Sequence, residues 1–444
     1  MAECTDQQVL FSIRKKRVTT VFDGGSLTSD SGVLFLNRVD ERLGLSHRIA
    51  QALSDRRQGG KVQHPLRDLL RQRLFQIGLG YEDVNDATTL RFDPAFQAAL
   101  ERVPGAGNVL ASQPTLSRLE EKIRRRDLMA FSEVLMDLFL ERLRKLGRAA
   151  RRRIVLDFDS TDDPTHGQQQ LSMFHGYFDQ WQYFPLLVFH GGWPVAAVLR
   201  PGVAHGSWGA VAVLGRILER IWEQFPRAEI TIRADAGFAF PEFYEFCEAA
   251  GIGYLIGQIT NPRLERRAQP WMKKARARFE ETGEKAKLFG SFPHRADSWQ
   301  RGRRIIVKAE VLPQGENPRF LVTNLPDDPA SLYHFYIQRG QMENHIKDLK
   351  NAIHADRLSC HRFLSNQFRL LLHTAAYILM FALREHLEKT SLASAQMDTL
   401  RLKLLKIGAK IVTSARRIWF HLASSHPAAP LWHLLAARLA RAPA

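Results

Sequence analysis

Between residues 150 and 260 the chain alternates short apolar runs with amphipathic helical stretches, and this alternation restricts the fold more than any other feature. RRRIVLDFDST is a short strand after a basic run. PLLVFHGGWPVAAVLRPG reads as two strands around a Gly-Gly turn. VAVLGRILERIWEQF carries apolar residues at helical spacing, AEITIRADAGF is a strand, PEFYEFCEAAGI a helix and GYLIGQI a further strand. Strands that alternate with helices predict an α/β sheet. Open sheets of that class place ligand sites beyond the ends of strands, so acidic residues at those ends become candidates.

The flanks read differently. Residues 1–150 are expected to be mainly helical, with one β-hairpin. VLFSIRKKRVTTVF alternates apolar and polar residues, DGGSLTSDSG supplies a turn, and VLFLNRVDERLGL has helical spacing. Gly24 and Gly25 lack the Gly-Lys-Ser/Thr ending of a phosphate loop. HPLRDLLRQRLFQIGLG is a helix that stops at Gly78 and Gly80, and the stretch from Pro114 and Thr115 to Gly147 is one long amphipathic helix or two. Residues 260–325 read as a basic, β-rich insertion between core segments 151–259 and 326–360. Residues 361–444 read as a basic helical region. No acidic residue follows Asp398, while Arg401, Lys403, Lys406, Lys410, Arg416, Arg417, Arg438 and Arg441 remain.

Charge points to a partner. Lys and Arg number 63 against 46 Asp and Glu, a formal +17, which favours a polyanion. Arg124, Arg125 and Arg126 form a cluster that either meets a phosphate backbone or is a solvated helix face. The longest apolar stretches fall short of the roughly 18 residues a membrane helix needs, and MAECTDQQVLFSIRKKR has no signal core. Neither membrane insertion nor export is expected. Cys4, Cys247 and Cys360 lie far apart with no CxxC, as in a reducing compartment, and Cys247 is expected to pack in a helix.

Three acidic positions stand out. Asp157 and Asp159 share one face of their strand, because side chains alternate with period two. Asp235 ends an apolar strand just before a Gly turn. In YIQRGQMENHIKDLK, residues Tyr336, Arg339, Glu343, Lys347 and Lys350 recur at a spacing that lays them along one face of a continuous helix. Two strand-end carboxylates and one helix carboxylate form a hard oxygen-donor set suited to Mg²⁺ or Mn²⁺, in a pair that can drive phosphodiester cleavage. His166, His175, His190 and His205 lack Cys partners and tight ligand spacing, so zinc is not expected. His166 and Gln168 are better placed at the rim of the site.

The set LDFDST, IRADAGF and YIQRGQMENHIKDLK resembles DDE transposases with a ribonuclease-H-like core. Within them it looks like the bacterial insertion-sequence group with a Tyr-x2-Arg-x3-Glu-x6-Lys signature, matched by Tyr336, Arg339, Glu343 and Lys350. GYEDVNDATTLRFDPAF, QPTLSRLE, STDDPTHGQQ and LRPGVAH further resemble insertion-sequence family 1380. The resemblance implies a ribonuclease-H-like core holding Asp159, Asp235 and Glu343, with Asp157 as alternate for the first carboxylate. Arg339 and Lys350 would contact DNA phosphates with Tyr336 beside them, and Lys347, on the same helical face, is a further candidate contact. Trp271 or Trp299 in the insertion would stack on a flipped base. Arg124, Arg125, Lys403, Lys406 and Lys410 are further candidate DNA contacts. The implied function is metal-dependent cleavage and strand transfer at inverted repeats of double-stranded DNA, by a homodimer assembled on that DNA in a bacterial, nucleoid-associated cytoplasm. The competing classes are an inactive DNA-binding regulator and a nuclease without strand transfer.

Overall fold

The computed structural model describes residues 8–105 and 107–440; Cys4 and Arg441 lie outside the described residues. The chain divides into two compact units, Met1–Lys122 with Ala352–His354 and Ala375–Ala444, and Ile123–Asn351 with Ala355–Thr374. The sequence expectation separated an N-terminal region at residue 150 from a C-terminal one at 361. The two ends instead share a unit, and the helix Arg125–Lys145 goes with the sheet.

The second unit is built on a mixed nine-stranded sheet. Its strands are β1 (Arg153–Ser160), β2 (Leu186–His190), β3 (Trp193–Val198), β4 (Glu229–Ala234), β5 (Gly253–Gln258), β6 (Ala286–His294), β7 (Arg303–Leu312) and β8 (Arg319–Thr323), with a two-residue strand Gly315–Glu316 paired to β7. They lie in the order β6-β7-β8-β5-β4-β1-β2-β3. β1, β4 and β5 run parallel and every other neighbour is antiparallel. The strands and helices read from the sequence between 150 and 260 are all present, and three short strands at Asp163–Pro164, Met173–His175 and Gln180–Tyr183, not visible in the sequence pattern, form a sheet of their own.

Burial follows the pattern of each element. On β1, Ile154, Leu156 and Phe158 are fully buried, and Phe158 meets Phe238 and Phe243 edge-on at 6.0 and 5.7 Å. That leaves Asp157 and Asp159 on the opposite face of the strand. The helix Ala210–Gln224 buries Leu214, Ile217, Leu218 and Ile221 along one stripe. Cys247 is buried in the helix Pro241–Ala249.

Segment 260–325 departs from the expected β-rich insertion. It opens with a 21-residue helix, Pro262–Thr282, whose first turn is fixed by Pro262 and by Asn261, which accepts from the N–H groups of Arg263 and Leu264 at 3.1 and 3.0 Å. The expected strands follow, but β6, β7 and β8 extend the central sheet, with β8 pairing to β5.

The first unit is mainly helical with small β elements. The hairpin Gln8–Ile13/Lys16–Thr20 turns at Arg14, inside the basic RKKR run. DGGSLTSDSG is not only a turn, because Leu27–Thr28 is a strand. It pairs with Ala409–Thr413, which pairs with Ile418–Leu422, so the C-terminal region is not all helical. Ala409 and Ile411 turn inward while Lys410 and Val412 are exposed, the alternation of a half-buried strand. Buried Arg73 meets Glu120 at 3.0 Å, and Lys406 meets buried Asp30 at 2.7 Å. No helix among the described residues is long and apolar enough to cross a membrane.

Candidate active site

Asp157 and Asp159 stand two residues apart on one strand, each buried and bonded to a buried arginine, and differ in how that arginine holds them and in the acids nearby. Parallel pairing sets Asp157 directly beside Arg233 on β4. The guanidinium donates to both carboxylate oxygens, at 2.7 and 2.8 Å, and a third N–H reaches the carbonyl of Phe335 at 2.7 Å. Both charges are buried and neutralise each other. Asp157 is thus fully engaged as a structural anion.

Asp159 sits at the edge where β1 and β4 end, and Asp235 follows β4 directly. Asp159 accepts from the Ser160 N–H at 2.9 Å and from Arg339 at 2.9 Å. Burial pushes its carboxyl up to about 7; Arg339 opposes this, while the charges of Asp235 and Glu343 add to it. Those couplings put the three acidic candidates in one field. Asp235 accepts from the Gly237 N–H at 3.0 Å, which fixes the turn after β4. Glu343 is the exposed member, 58% accessible, with Arg339 at 3.8 Å.

The signature residues do not lie on one continuous helix. Tyr336 is on the helix Pro329–Ile337, Gln338 and Arg339 form a break, and Glu343 lies on the helix Gly340–Lys347. Asp348–Ala352, with Lys350, is a π-helical turn. The break lets Arg339 reach Asp159. Burial works against the Arg339 cation, yet Asp159, Tyr336, Asp235 and Glu343 together raise its pKa. Tyr336 donates to the carbonyl of Ala234 at 3.3 Å, so it holds the end of β4. Gly257 permits this closeness: a Cβ there would stand 3.0 Å from the tyrosine oxygen and from the Ala236 nitrogen. A cavity of about 470 Å³ opens beside this wall, between Ala236, Gly257, Arg319, Tyr333 and Tyr336.

Lys350 is also engaged. Its ammonium donates to the Thr161 hydroxyl at 3.2 Å, and to the Asp162 carboxylate and carbonyl at 2.8 Å each. It braces the chain just beyond Asp159. Lys347 is exposed, as are Arg124 and Arg125, whose helix is capped through the Arg124 N–H to Asp127. In the first unit Lys403 and Lys410 are exposed, but Lys406 is held by Asp30 and lies 3.6 Å from the Tyr81 ring centroid. Of the expected base-stacking residues, Trp299 is 4% exposed, edge-on to Tyr244, and half-buried Trp271 packs over Gly290. Neither presents an open ring. Gln168 lines a cavity; His166 is exposed beside it.

Two arginines escaped the sequence reading. Arg233 is one. Arg200, 1% exposed, donates to Ser160 and to the carbonyls of Phe184, His205, Gly206 and Trp208. Burial lowers its pKa to about 10. It fastens the loop carrying LRPGVAH to the residue after Asp159. Gly206 in that loop lies so close to Gly237 that a Cβ would stand 2.5 Å from its carbonyl oxygen.

The donor set of Asp159, Asp235 and Glu343 is all carboxylate oxygen, the chemistry of a hard divalent cation. Among the described residues no group of three His, Cys, Asp or Glu side chains stands ready to hold a metal. Arg339 supplies the positive charge at Asp159, and Glu343 faces solvent.

No curated protein matches the chain. Solved structures that match it include a piggyBac transposase synaptic complex with hairpin DNA, 12% identical, covering 85% of this chain and 80% of that one with a TM-score of 0.42. The family model described as Transposase DDE domain group 1 matches residues 11–444. The chain belongs to that family of DDE-type DNA transposases.

Proposed function

We propose that this transposase acts on the inverted repeats of an insertion sequence of the family-1380 type, cutting a DNA end and joining the released 3′-OH to another phosphodiester. The observation that carries the reading is the common edge of β1 and β4, where Asp159 and Asp235 end adjacent parallel strands and Arg339, four residues before Glu343, bonds to Asp159. The parallel centre of the sheet, with Asp157 and Asp159 on the face opposite Phe158, also supports a ribonuclease-H-like core. The signature spacing of Tyr336, Arg339, Glu343 and Lys350 supports the insertion-sequence group.

Asp159, Asp235 and Glu343 would hold Mg²⁺ or Mn²⁺, with Arg339 releasing Asp159 and Glu343 turning inward. When bound, the metal lowers the barrier to in-line displacement at phosphorus by activating the attacking oxygen and stabilising the leaving one. The chain's own residues do the rest. Arg233 holds Asp157 and therefore fixes the strand that presents Asp159. Tyr336 and Gly257 fix the turn that presents Asp235. Arg339, bonded to Asp159 at this edge, would be placed to grip a phosphate there with two donors. Exposed Arg124, Arg125, Lys347, Lys403 and Lys410 would meet the DNA backbone.

The test uses full-length protein and DNA carrying the ends that flank its coding region. Asp235→Asn and Glu343→Gln are expected to bind that DNA and to leave it uncut in Mg²⁺. Wild-type cleavage by either variant overturns the carboxylate assignment. Cleavage without joined or hairpin product by the wild type identifies a nuclease; binding without cleavage identifies a regulator.

A further inference from the structure

The LRPGVAH stretch lies in the loop between β3 and the helix Ala210–Gln224, residues 199–209, and supplies none of the three carboxylates. Its Arg200 is 1% exposed, and among the described residues no carboxylate forms an ion pair with it. A buried cation without an acid is costly unless its donors are met. Here they are met by neutral oxygens: the carbonyls of Phe184, His205, Gly206 and Trp208 and the hydroxyl of Ser160. A planar fork of donors fixes its acceptors relative to one another. What Arg200 supplies is therefore geometry.

The acceptors lie on both sides of the carboxylate edge. The ladder between β1 and β4 ends at Phe158 and Ala234, one residue before Asp159 and Asp235. Past that point the separation of the two carboxylates depends on what spans the gap. On one side Arg200 donates to the hydroxyl of Ser160, the residue after Asp159, at 2.7 Å. On the other it donates to the Gly206 carbonyl at 2.8 Å. Gly206 packs on the backbone of Gly237, where a Cβ would stand 2.5 Å from the carbonyl oxygen and 3.1 Å from the Cα. Gly206 has no positive φ, so its missing Cβ serves this close approach. Gly237 in turn donates its N–H to Asp235. One guanidinium thus links the two strand ends. The loop itself is rigidly seated. Gln367 accepts from the Leu199 N–H at 2.6 Å and donates to the Ala197 carbonyl at 3.1 Å. Pro201 bridges to Tyr183, and a Cβ on Gly202 would run into the carbonyls of Gln182 and Met173 in the small sheet.

We propose that Arg200 is a positioning residue for DNA cleavage, setting the separation of Asp159 and Asp235 through Ser160 on one side and the Gly206–Gly237 contact on the other. The proposal rests on the carboxylate assignment and gives the LRPGVAH stretch a role in it. A misplacement of about 1 Å among reacting groups costs about 100-fold in rate. Affinity for DNA does not depend on that separation.

The experiment measures two quantities on full-length protein with DNA carrying the element's ends: the single-turnover cleavage rate at saturating DNA, and the affinity by fluorescence anisotropy. Both are taken at a temperature where circular dichroism shows each variant folded. Gly206→Ala drives a methyl group into the Gly237 carbonyl and should cut about 100-fold more slowly. Ser160→Ala removes one acceptor and should lose less. Arg200→Lys keeps the charge but not the fork, and should also cut slowly. Affinity for the ends should be unchanged in all three, and Ser160→Thr, which keeps the hydroxyl, should recover most of the rate lost in Ser160→Ala. A wild-type rate in any of the three folded variants overturns the role of Arg200, as does a loss of affinity equal to the loss of rate. Asp235→Asn is the control: wild-type cleavage by that variant, or no cleavage by the wild type, overturns the carboxylate assignment instead.

Discussion

The carboxylate edge of the sheet and the aromatic segment that follows it are adjacent in sequence and built on opposite principles. At the edge, charge is buried and held by buried partners: Arg233 on Asp157, Arg339 on Asp159. In the segment, apolar surface is left exposed: Phe174, Tyr177 and Trp181 stand in solvent. Each arrangement is costly in isolation. Like charges close together repel, and exposed aromatic rings forgo burial. Under the proposed function a divalent cation would relieve the first cost, while the rings of the segment stay exposed in this structure.

Substitution at the edge is expected to show the largest effects and to divide it in two. Asp159→Asn should abolish cleavage of the element's ends and leave the fold intact. Asp157→Asn should strand the buried Arg233 charge, and breaking a buried pair costs about 3–5 kcal/mol. A lowered melting temperature with residual activity per folded molecule is therefore expected from Asp157→Asn. Calorimetry paired with a cleavage assay checks both, and the reversed pattern would exchange the roles of the two residues.

The junction between the two regions comes next. Lys350→Met removes the brace on Thr161 and Asp162 and should loosen the segment. Slower cleavage of the element's ends is expected, with the melting temperature measured in parallel; wild-type cleavage would show that the brace is dispensable. Asp163, at the same root, is 1% exposed, and neither of its oxygens has a hydrogen-bond partner among the described residues. Burial, then the charge of Asp356, holds its pKa well above the carboxylate range, with Lys350 opposing. A raised folded-state pKa contributes stability that is complete below the ordinary value near pH 4 and is lost as pH rises through the folded value. Asp163→Asn should therefore melt higher than wild type in alkaline buffer, and the gap should close towards pH 4. A gap independent of pH would show that Asp163 is not the titrating group.

The smallest effect belongs to the first unit. Neutralising Lys403 and Lys410 should flatten the salt dependence of DNA binding by about 0.9 in the log–log slope for each phosphate no longer neutralised. Lys406→Ala should instead lower the melting temperature, because Lys406 serves Asp30. A slope that responds to Lys406 alone would invert the two roles.

The strands β1 to β5 were legible because each is an apolar run bounded by turns, with amphipathic helices between β3 and β4 and between β4 and β5. The segment 260–282 was not, since a basic stretch with Pro270 inside it offers little periodicity, and its helix is fixed by the Asn261 cap. Asp157 and Asp159 share a face, so period two could not separate them. What distinguishes Asp157, its two-point pairing with Arg233 76 residues away, comes through strand register and leaves no local trace. Lys406 looked like a free cation because its partner Asp30 lies at the other end of the chain. The spacing of the signature residues was visible, but the break at Gln338 and Arg339 was not, since local periodicity carries no record of a long-range bond such as Arg339 to Asp159.

That break gives the site an uneven tolerance to insertion and deletion. Asp159 and Asp235 are joined through a hydrogen-bonded ladder, where shifting one residue turns every later side chain to the other face. Their relative position is discrete: in register or out of it. Glu343 is carried on a helix, where one added residue rotates the remaining turns by about 100°, and the joint at Gln338 and Arg339 can absorb part of such a rotation. Length variation within β1 or β4 should therefore be rare among chains that keep this activity, and it should collect at the joint.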